Sequence, residues 1–231
     1  MASINEYYPE EVLHPSETLT EKLREIGMSN KEFALRTGKP EKTIVAVLKG
    51  ESSITPEMAI MFENITRIPA SFWINKQARY NEYKARIKRS EDIESAKDWA
   101  SSFPYTEMAK HGWVEPTRYI EEKCINLFEY FGISTHIAWN RLYIESELKI
   151  AAYASLKHTQ EPHSISAWLR KGELQAREIS APEYNPVEFR KSLNFIKELM
   201  ANHPVTYFSE LQDICLKSGV KVFYTPRLPK T

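Results

Sequence analysis

The chain has 231 residues, of which 42% are hydrophobic and 27% are charged; this excludes disorder throughout and allows one large domain or two small ones. The formal net charge is zero, so the total charge does not indicate a nucleic-acid partner, but it averages over regions that differ. There are thirteen Lys and Arg but nine Asp and Glu between Glu17 and Lys88, whereas the first fifteen residues are acidic.

Start and stop signals divide residues 15–88 into five predicted helices. The first spans residues 16–26, and Gly27 is expected to end it because glycine readily adopts the left-handed conformation of a helix C-terminus. A period of 3.6 residues places three apolar side chains on one face of this helix. They are Leu19, Leu23 and Ile26.

The second predicted helix begins at Ser29, whose hydroxyl can accept a hydrogen bond from the backbone N–H of Glu32 while the Glu32 carboxylate reaches back. It stops at Gly38. The third starts with Pro40, which suits a first helical turn because its missing N–H would have no partner there, and it ends before Gly50. Its inward residues are Ile44, Val47 and Leu48.

The fourth predicted helix begins at Thr55 and Pro56, and the fifth opens at Ser71. From residue 90 onward the pattern is mainly helical, with one short alternating segment at 220–224 that is typical of a strand. The further predicted helices cover residues 92–100, 105–111, 116–131, 138–156, 164–178, 186–202 and 209–217.

These elements predict an all-α fold in which a five-helix, lambda-repressor-like helix-turn-helix domain precedes a mainly helical C-terminal domain with one short terminal strand. Residues 84–95 contain neither Gly nor Pro, so this charged junction is expected to be helical. The predicted organisation is an N-terminal arm at 1–15, a DNA-binding domain at 16–83, a linker at 84–95 and the C-terminal domain at 96–231.

Two short helices joined by a tight turn containing glycine have the spacing of a helix-turn-helix motif. In such a motif the second helix enters the major groove of duplex DNA, and the N-terminus of the first faces a phosphate. The alternative is that the polar outer face is merely solvated. The predicted base-reading residues are Glu41, Lys42, Thr43 and Ala46, and the predicted phosphate-binding residues are Ser29, Asn30, Lys31 and Lys49.

Four segments within residues 14–83 closely resemble the HigA-type antitoxins of the Xre helix-turn-helix superfamily. They begin with His-Pro-Ser-Glu at His14 and end with Phe-Trp-Ile-Asn-Lys-Gln-Ala-Arg-Tyr at Phe72. The resemblance implies a homodimer that binds a palindromic operator in its own promoter. It also implies a ribosome-dependent ribonuclease toxin as a frequent protein partner.

Segments of the C-terminal part, among them Ala-Trp-Leu-Arg-Lys-Gly-Glu at Ala167, resemble the region that precedes the zinc peptidase domain in regulators of the ImmA/IrrE type. The His-Glu-x-x-His motif of that domain is absent from this sequence, so its two-ligand helical zinc site cannot be built. His158, Glu161 and His163 are the nearest approach to a ligand cluster, and a loop around Pro162 explains them better.

The remaining candidates are interpreted as structural. Cys124 and Cys215 lie far apart without a Cys-x-x-Cys spacing, which favours buried free thiols. Trp113, Trp139 and Trp168 lie in apolar helical patterns, which favours core packing over a ligand cage. The sequence therefore predicts no catalytic residue, no metal site and no cofactor.

The sequence has no apolar run that approaches the roughly 18 residues needed to span a membrane. Its N-terminus also lacks the basic segment followed by an apolar segment that is typical of a signal peptide. We expect a cytoplasmic protein without a membrane partner. The function expected is that of a sequence-specific repressor, not an enzyme, with double-stranded operator DNA as its partner.

Two other classes of function remain open at this point. The chain could be the regulatory part of a split or truncated ImmA/IrrE-type zinc metallopeptidase, or a toxin-neutralising module whose DNA binding is incidental. The DNA just downstream separates the repressor from the peptidase, since a His-Glu-x-x-His segment there favours the peptidase and a small basic ribonuclease favours the repressor.

Overall fold

The computed structural model describes residues 12–145 and 161–228, and all regular secondary structure in these two ranges is helical. This confirms the predicted all-α class. The chain divides into two compact units, Met1–Glu91 and Asp92–Thr231. No helix within the described ranges is long and apolar enough to cross a membrane.

The five predicted helices begin in the first unit, and the fifth, which is much longer than the others, includes residues 84–95 and so ends four residues beyond that unit. Their bounds are α1 Pro15–Glu25, α2 Asn30–Thr37, α3 Glu41–Leu48, α4 Pro56–Thr66 and α5 Ala70–Ser95.

Three aromatic rings form the centre of the first unit. The ring centroids of Phe33 and Phe62 lie 5.0 Å apart, and those of Phe62 and Trp73 lie 6.1 Å apart with the rings perpendicular. All three side chains are fully buried, and aromatic pairs in such geometries add about 0.5–1.5 kcal/mol to the stabilisation that burial provides. The buried Gln77 carboxamide oxygen accepts a hydrogen bond from the Ile54 N–H at 2.9 Å. This bond gives a buried backbone donor between α3 and α4 a partner.

Hydrogen bonds at the helix ends confirm the predicted N-terminal caps at Ser29 and Thr55. The Ser29 hydroxyl accepts from the Glu32 N–H at 3.2 Å, and the Thr55 hydroxyl accepts from the Met58 N–H at the same distance. The reciprocal hydrogen bond of the predicted capping box, from the Ser29 N–H to the Glu32 carboxylate, is not formed, because that carboxylate accepts a hydrogen bond from Arg36 at 2.7 Å. The guanidinium is the stronger donor, since its charge assists the bond.

Two details at the ends of predicted helices differ from the expectation. Ile26 is 38% exposed, because it caps the C-terminus of α1 and no longer shares the inward face of Leu19 and Leu23. Pro40 has the extended ψ of 138° and is the N-cap residue of α3, so the helix begins one residue later than predicted, at Glu41.

The described helices of the second unit are mostly short, and the two longest have 17 residues each. The bounds of these helices are α6 Lys97–Ser101, α7 Tyr105–Lys110, α8 Ile120–Phe131, α9 His136–Asn140 with a π-helical turn at Arg141–Glu145, α10 Pro162–Glu178, α11 Pro186–Asn202 and α12 Tyr207–Leu216.

Aromatic side chains from α6, α8 and α9 pack into a second, separate core. Trp99 stacks on Phe128 at 5.5 Å and meets Trp139 edge to face at 6.1 Å. Cys124 and Cys215 are both buried and free, as predicted, and burial raises the pKa of each thiol.

The predicted terminal strand at 220–224 is wrong, because a strand needs a neighbouring strand and none exists among the described residues. The segment is held instead by hydrogen bonds to α10 and α12. Lys221 Nζ donates to the Ala176 carbonyl at 2.7 Å, and Gln212 Nε2 donates to the Val222 carbonyl at 2.8 Å. The alternating pattern therefore reflects an extended chain packed against helices.

Three predicted helices of the second unit also need correction. The helix predicted at 92–100 is divided, since α5 ends at Ser95 and α6 begins at Lys97. The helix predicted at 116–131 begins only at Ile120. The helix predicted at 138–156 corresponds to α9 and the π-helical turn as far as Glu145, and its remainder lies outside the described residues, as do residues 1–11 of the predicted arm.

Candidate nucleic-acid interface

The turn between α2 and α3 fixes the geometry of the helix pair. Gly38 ends α2 with φ at 65°, a left-handed conformation that glycine adopts without a steric penalty. Phe33 on α2 and Ile44 and Val47 on α3 are buried in the first core. Because these inward residues anchor both helices, the opposite faces are held outward together.

The predicted base-reading residues lie on the outward face of α3 and at its N-terminal end. Glu41 and Lys42 are exposed in the first turn, whereas Thr43 and Ala46 are half-buried. A carboxylate, an ammonium group and two methyl groups can together accept from cytosine, donate to guanine and contact thymine. The structure therefore places all four on a helix surface that is free to enter a groove.

The predicted phosphate-binding residues are exposed but do not form a single cluster. Asn30, at the first position of α2, lies with Lys49 in a cleft of about 360 Å³. Lys31 is exposed on the same turn of α2 but does not line that cleft, and the Ser29 oxygen is engaged in capping α2. Ser29 retains its hydroxyl hydrogen for donation to an anion.

The charges of the helix pair separate into neutralised and unneutralised groups. Arg36 pairs with Glu32 at 2.7 Å, and Lys39 on the turn pairs with Glu57 of α4 at 2.9 Å. By contrast, no residue within 12–145 or 161–228 forms an ion pair with Lys31, Lys42 or Lys49. Within the helix pair, the charge of these three lysines is therefore available to a polyanion.

The structure adds two residues of α1 that the sequence did not indicate. Thr20 and Arg24 line the cleft beside Asn30 and Lys49. In the sequence, Arg24 is one of many charged residues expected on the outside of a helix. Its proximity to α3 depends on how α1 packs against α3, which the sequence pattern does not give. The signal that could have suggested it is the four-residue spacing from Thr20, which places both on one face of α1.

His14 holds the start of α1 against the turn that follows α3. Its Nδ1 accepts from the Ser16 N–H at 3.1 Å, and its ring meets the Tyr80 ring edge to face at 4.7 Å. A Cβ on Gly50 would lie 3.5 Å from the His14 ring. Burial lowers the pKa of His14, nearby Glu17 opposes that shift, and Lys84 adds to it. The neutral imidazole is therefore the form that caps the helix.

The described candidate residues of the second unit take part in ring contacts and hydrogen bonds. His163 stacks on Trp139 at 4.7 Å, and its pKa is lowered by burial; His158 lies outside the described residues. Trp113 and Trp139 are buried, and Trp168 packs against the core while donating to the Thr225 carbonyl at 3.2 Å. Among the described residues there is no group of three or more His, Cys, Asp or Glu that could hold a metal ion.

No family model and no curated protein matches the chain. Solved structures are similar to its N-terminal helix-turn-helix region. One is an addiction module antidote protein of the HigA family from Coxiella burnetii, with 30% identity, 37% of this chain and 94% of that chain covered, and a TM-score of 0.34.

Two others are from Pseudomonas aeruginosa. The antitoxin HigA with the higBA promoter has 27% identity, covers 37% of this chain and 94% of that chain, and has a TM-score of 0.35. PA4674 in complex with its operator DNA has 26% identity, the same coverages and a TM-score of 0.34. The resemblance of the C-terminal part to the segment that precedes a zinc peptidase domain stays a prediction.

Proposed function

We propose that the first unit binds duplex DNA through α2 and α3 and that the protein is an antitoxin-like transcriptional repressor. The observation that carries the proposal is the outward face of the helix pair, on which Lys31, Lys42 and Lys49 have no ion-pair partner in the parts of the chain that the structure describes. Unpaired cations release condensed counterions when they contact phosphates, which supplies much of the affinity for DNA. The same unit is similar to an antitoxin solved with promoter DNA.

The residues have different roles in this proposal. Glu41, Lys42, Thr43 and Ala46 read base edges from the start of α3. Ser29, Asn30, Lys31 and Lys49 hold the phosphates on either side, which fixes the register of the helix in the groove.

The proposal includes a second copy of the chain. One recognition helix reads only a few base pairs, and two helices related by a two-fold axis read half-sites one helical turn apart. The operator is accordingly a palindrome in the DNA upstream of the gene. The resemblance to HigA-type antitoxins extends the proposal to a ribonuclease toxin as protein partner, which copurification with the product of the neighbouring gene tests.

The testing experiment selects the fragments of the protein's own upstream DNA that the full chain retains, and then measures binding to the selected site and to a scrambled site. A palindromic site bound at least a thousandfold more tightly than the scrambled one is expected. Equal binding to both duplexes over a salt series contradicts sequence-specific repression, and no binding to either contradicts DNA binding altogether.

Two matched variants separate the roles. Lys42→Ala is expected to cost about 1–3 kcal/mol on the operator and to relax preference at one base pair. Lys31→Ala removes an equal charge but weakens both duplexes similarly and lowers the salt slope by about 1 per half-site. Equal losses for Lys42→Ala on both duplexes remove that residue from the base-reading set.

Glu41 has two opposed expectations that the same measurements resolve. If its carboxylate accepts from a cytosine N4 amine, Glu41→Ala loses specificity. If it only repels phosphate, the same substitution tightens binding to scrambled DNA.

A further inference from the structure

A cleft between α1, the start of α2 and the end of α3 combines an apolar floor with a polar rim. Its volume is about 360 Å³, and Thr20, Arg24, Asn30 and Lys49 contribute polar groups. No carboxylate is among the described residues that line it, although acidic side chains are frequent in this unit. The apolar lining residues are Leu23, Met28, Val45 and Leu48.

The two cations of the rim are not neutralised by the protein. The structure, over its described ranges, gives Arg24 and Lys49 no ion pair, while the neighbouring Lys22 on α1 is paired with Glu25 at 2.9 Å. Both side chains are exposed and line the same cleft. An anion placed between them gains charge-assisted hydrogen bonds from both.

The chemistry of the rim selects a tetrahedral oxyanion. An arginine offers a planar fork of N–H donors, a lysine offers a compact ammonium group, and the Asn30 amide and Thr20 hydroxyl add neutral donors. The two non-bridging oxygens of a phosphodiester group can accept hydrogen bonds from this set of donors.

We propose that this cleft receives one phosphodiester group of the DNA backbone in each half-site, with Arg24 of α1 as the principal clamp. The inference rests on the proposed DNA binding and extends the interface from the helix pair to α1. The cleft opens beside Lys49, which follows α3 directly. A phosphate held there stops α3 from sliding along the groove and thereby sets which bases Lys42 meets.

The test measures binding of the full chain with Arg24 replaced by Gln to the operator and to the scrambled duplex over a salt series. A loss of roughly tenfold on both duplexes, with the salt slope lowered by about 1 per half-site, is expected. Arg24→Lys should retain most of the affinity because it keeps the charge. The control is Arg79→Gln, because Arg79 is exposed on α5 and lies outside the cleft. This substitution removes the same charge, and its affinity for either duplex should fall by less than twofold.

A set of operators that each carry one methylphosphonate, which neutralises a single phosphate, identifies the occupant. At one position per half-site the modification should weaken the wild type clearly more than it weakens Arg24→Gln or Lys49→Gln, because each variant has already lost one of the two cations that contact this phosphate. If Arg24→Gln behaves like Arg79→Gln while the wild type binds the operator, the cleft is not a phosphate site and DNA binding by the helix pair stands. If the wild type binds neither duplex, both proposals fall.

Discussion

The helix pair α2–α3 and the helix pair α11–α12 have similar amphipathic sequences but very different burial. Each helix of the first pair places at least two side chains in the core of the first unit. The 17-residue α11 buries only Leu199, and α12 buries only Cys215. An amphipathic pattern thus predicts a helix, whereas the neighbouring elements decide how much of its apolar face is covered.

The difference also concerns which surface is left for partners. In α2–α3 the exposed surface carries lysines that have no ion pair among the described residues, which suits a polyanion, although one large apolar side chain, Leu35, is also 75% exposed. In α11–α12 large apolar side chains remain exposed, including Val187 at 62% and Phe195 at 65%. Stability in the first unit should therefore depend on single core residues, and stability around α11 should not.

The largest expected effect is that of Phe62→Ala, which removes the ring shared by the Phe33 and Trp73 contacts. Truncation of a buried aromatic residue costs about 3–5 kcal/mol, because it loses burial and leaves a cavity. Hydrogen exchange of the full chain should show the amides of α1 to α4 losing protection by that amount. A loss no larger than that of a surface substitution would contradict the conclusion that the stability of the first unit depends on single core residues.

A smaller effect is expected for Gln77→Met, which keeps the side-chain volume but removes the acceptor for the buried Ile54 N–H. An unpaired buried donor costs about 1–3 kcal/mol. Asn81→Ala is the matched control, since it removes only the acceptor of the other Gln77 hydrogen bond, at the partly buried side. Thermal denaturation should separate the two variants, and equal midpoints would show that the Ile54 contact contributes nothing.

The pH dependence of the first unit should follow His14, whose pKa is lowered by burial. The unfolded chain then binds more protons than the folded chain, so stability is complete above the ordinary histidine pKa of about 6.5 and falls as the pH decreases through the folded value. His14→Asn keeps a capping acceptor without a titrating ring. Melting points at pH 7.5 and pH 5.5 should differ in the wild type and differ less in the variant; an unchanged difference would assign the pH dependence elsewhere.

The smallest effect is expected for Phe195→Ser, because its side chain is already 65% exposed. Substitutions at such positions usually change the free energy of unfolding by less than about 0.5 kcal/mol. Exchange rates of the α11 amides provide the measurement. A loss above 1 kcal/mol would show that this face is covered in solution.

Local signals in the sequence determined the helices of the first unit and most of the candidate interface. The caps at Ser29 and Thr55 and the turn at Gly38 depend on backbone preferences of single residues, so they can be inferred without knowledge of the fold. The outward position of Lys42 follows from the 3.6-residue period once Ile44 and Val47 are assigned inward, whereas Glu41 is exposed because it is the first residue of α3. Ile26 and Pro40 were misplaced, because sequence signals do not fix at which residue a helix ends or begins.

Tertiary structure alone decided the contacts between elements distant in sequence. Arg24 reaches the cleft with Asn30 and Lys49 because α1 crosses α3, and no local pattern encodes a crossing. The strand expected at 220–224 failed for the same reason, since alternation specifies an extended chain but not the partner that pairs with it. Short-range backbone energies fix the helices, whereas the free energy of burial, summed over the whole unit, selects which of their faces meet.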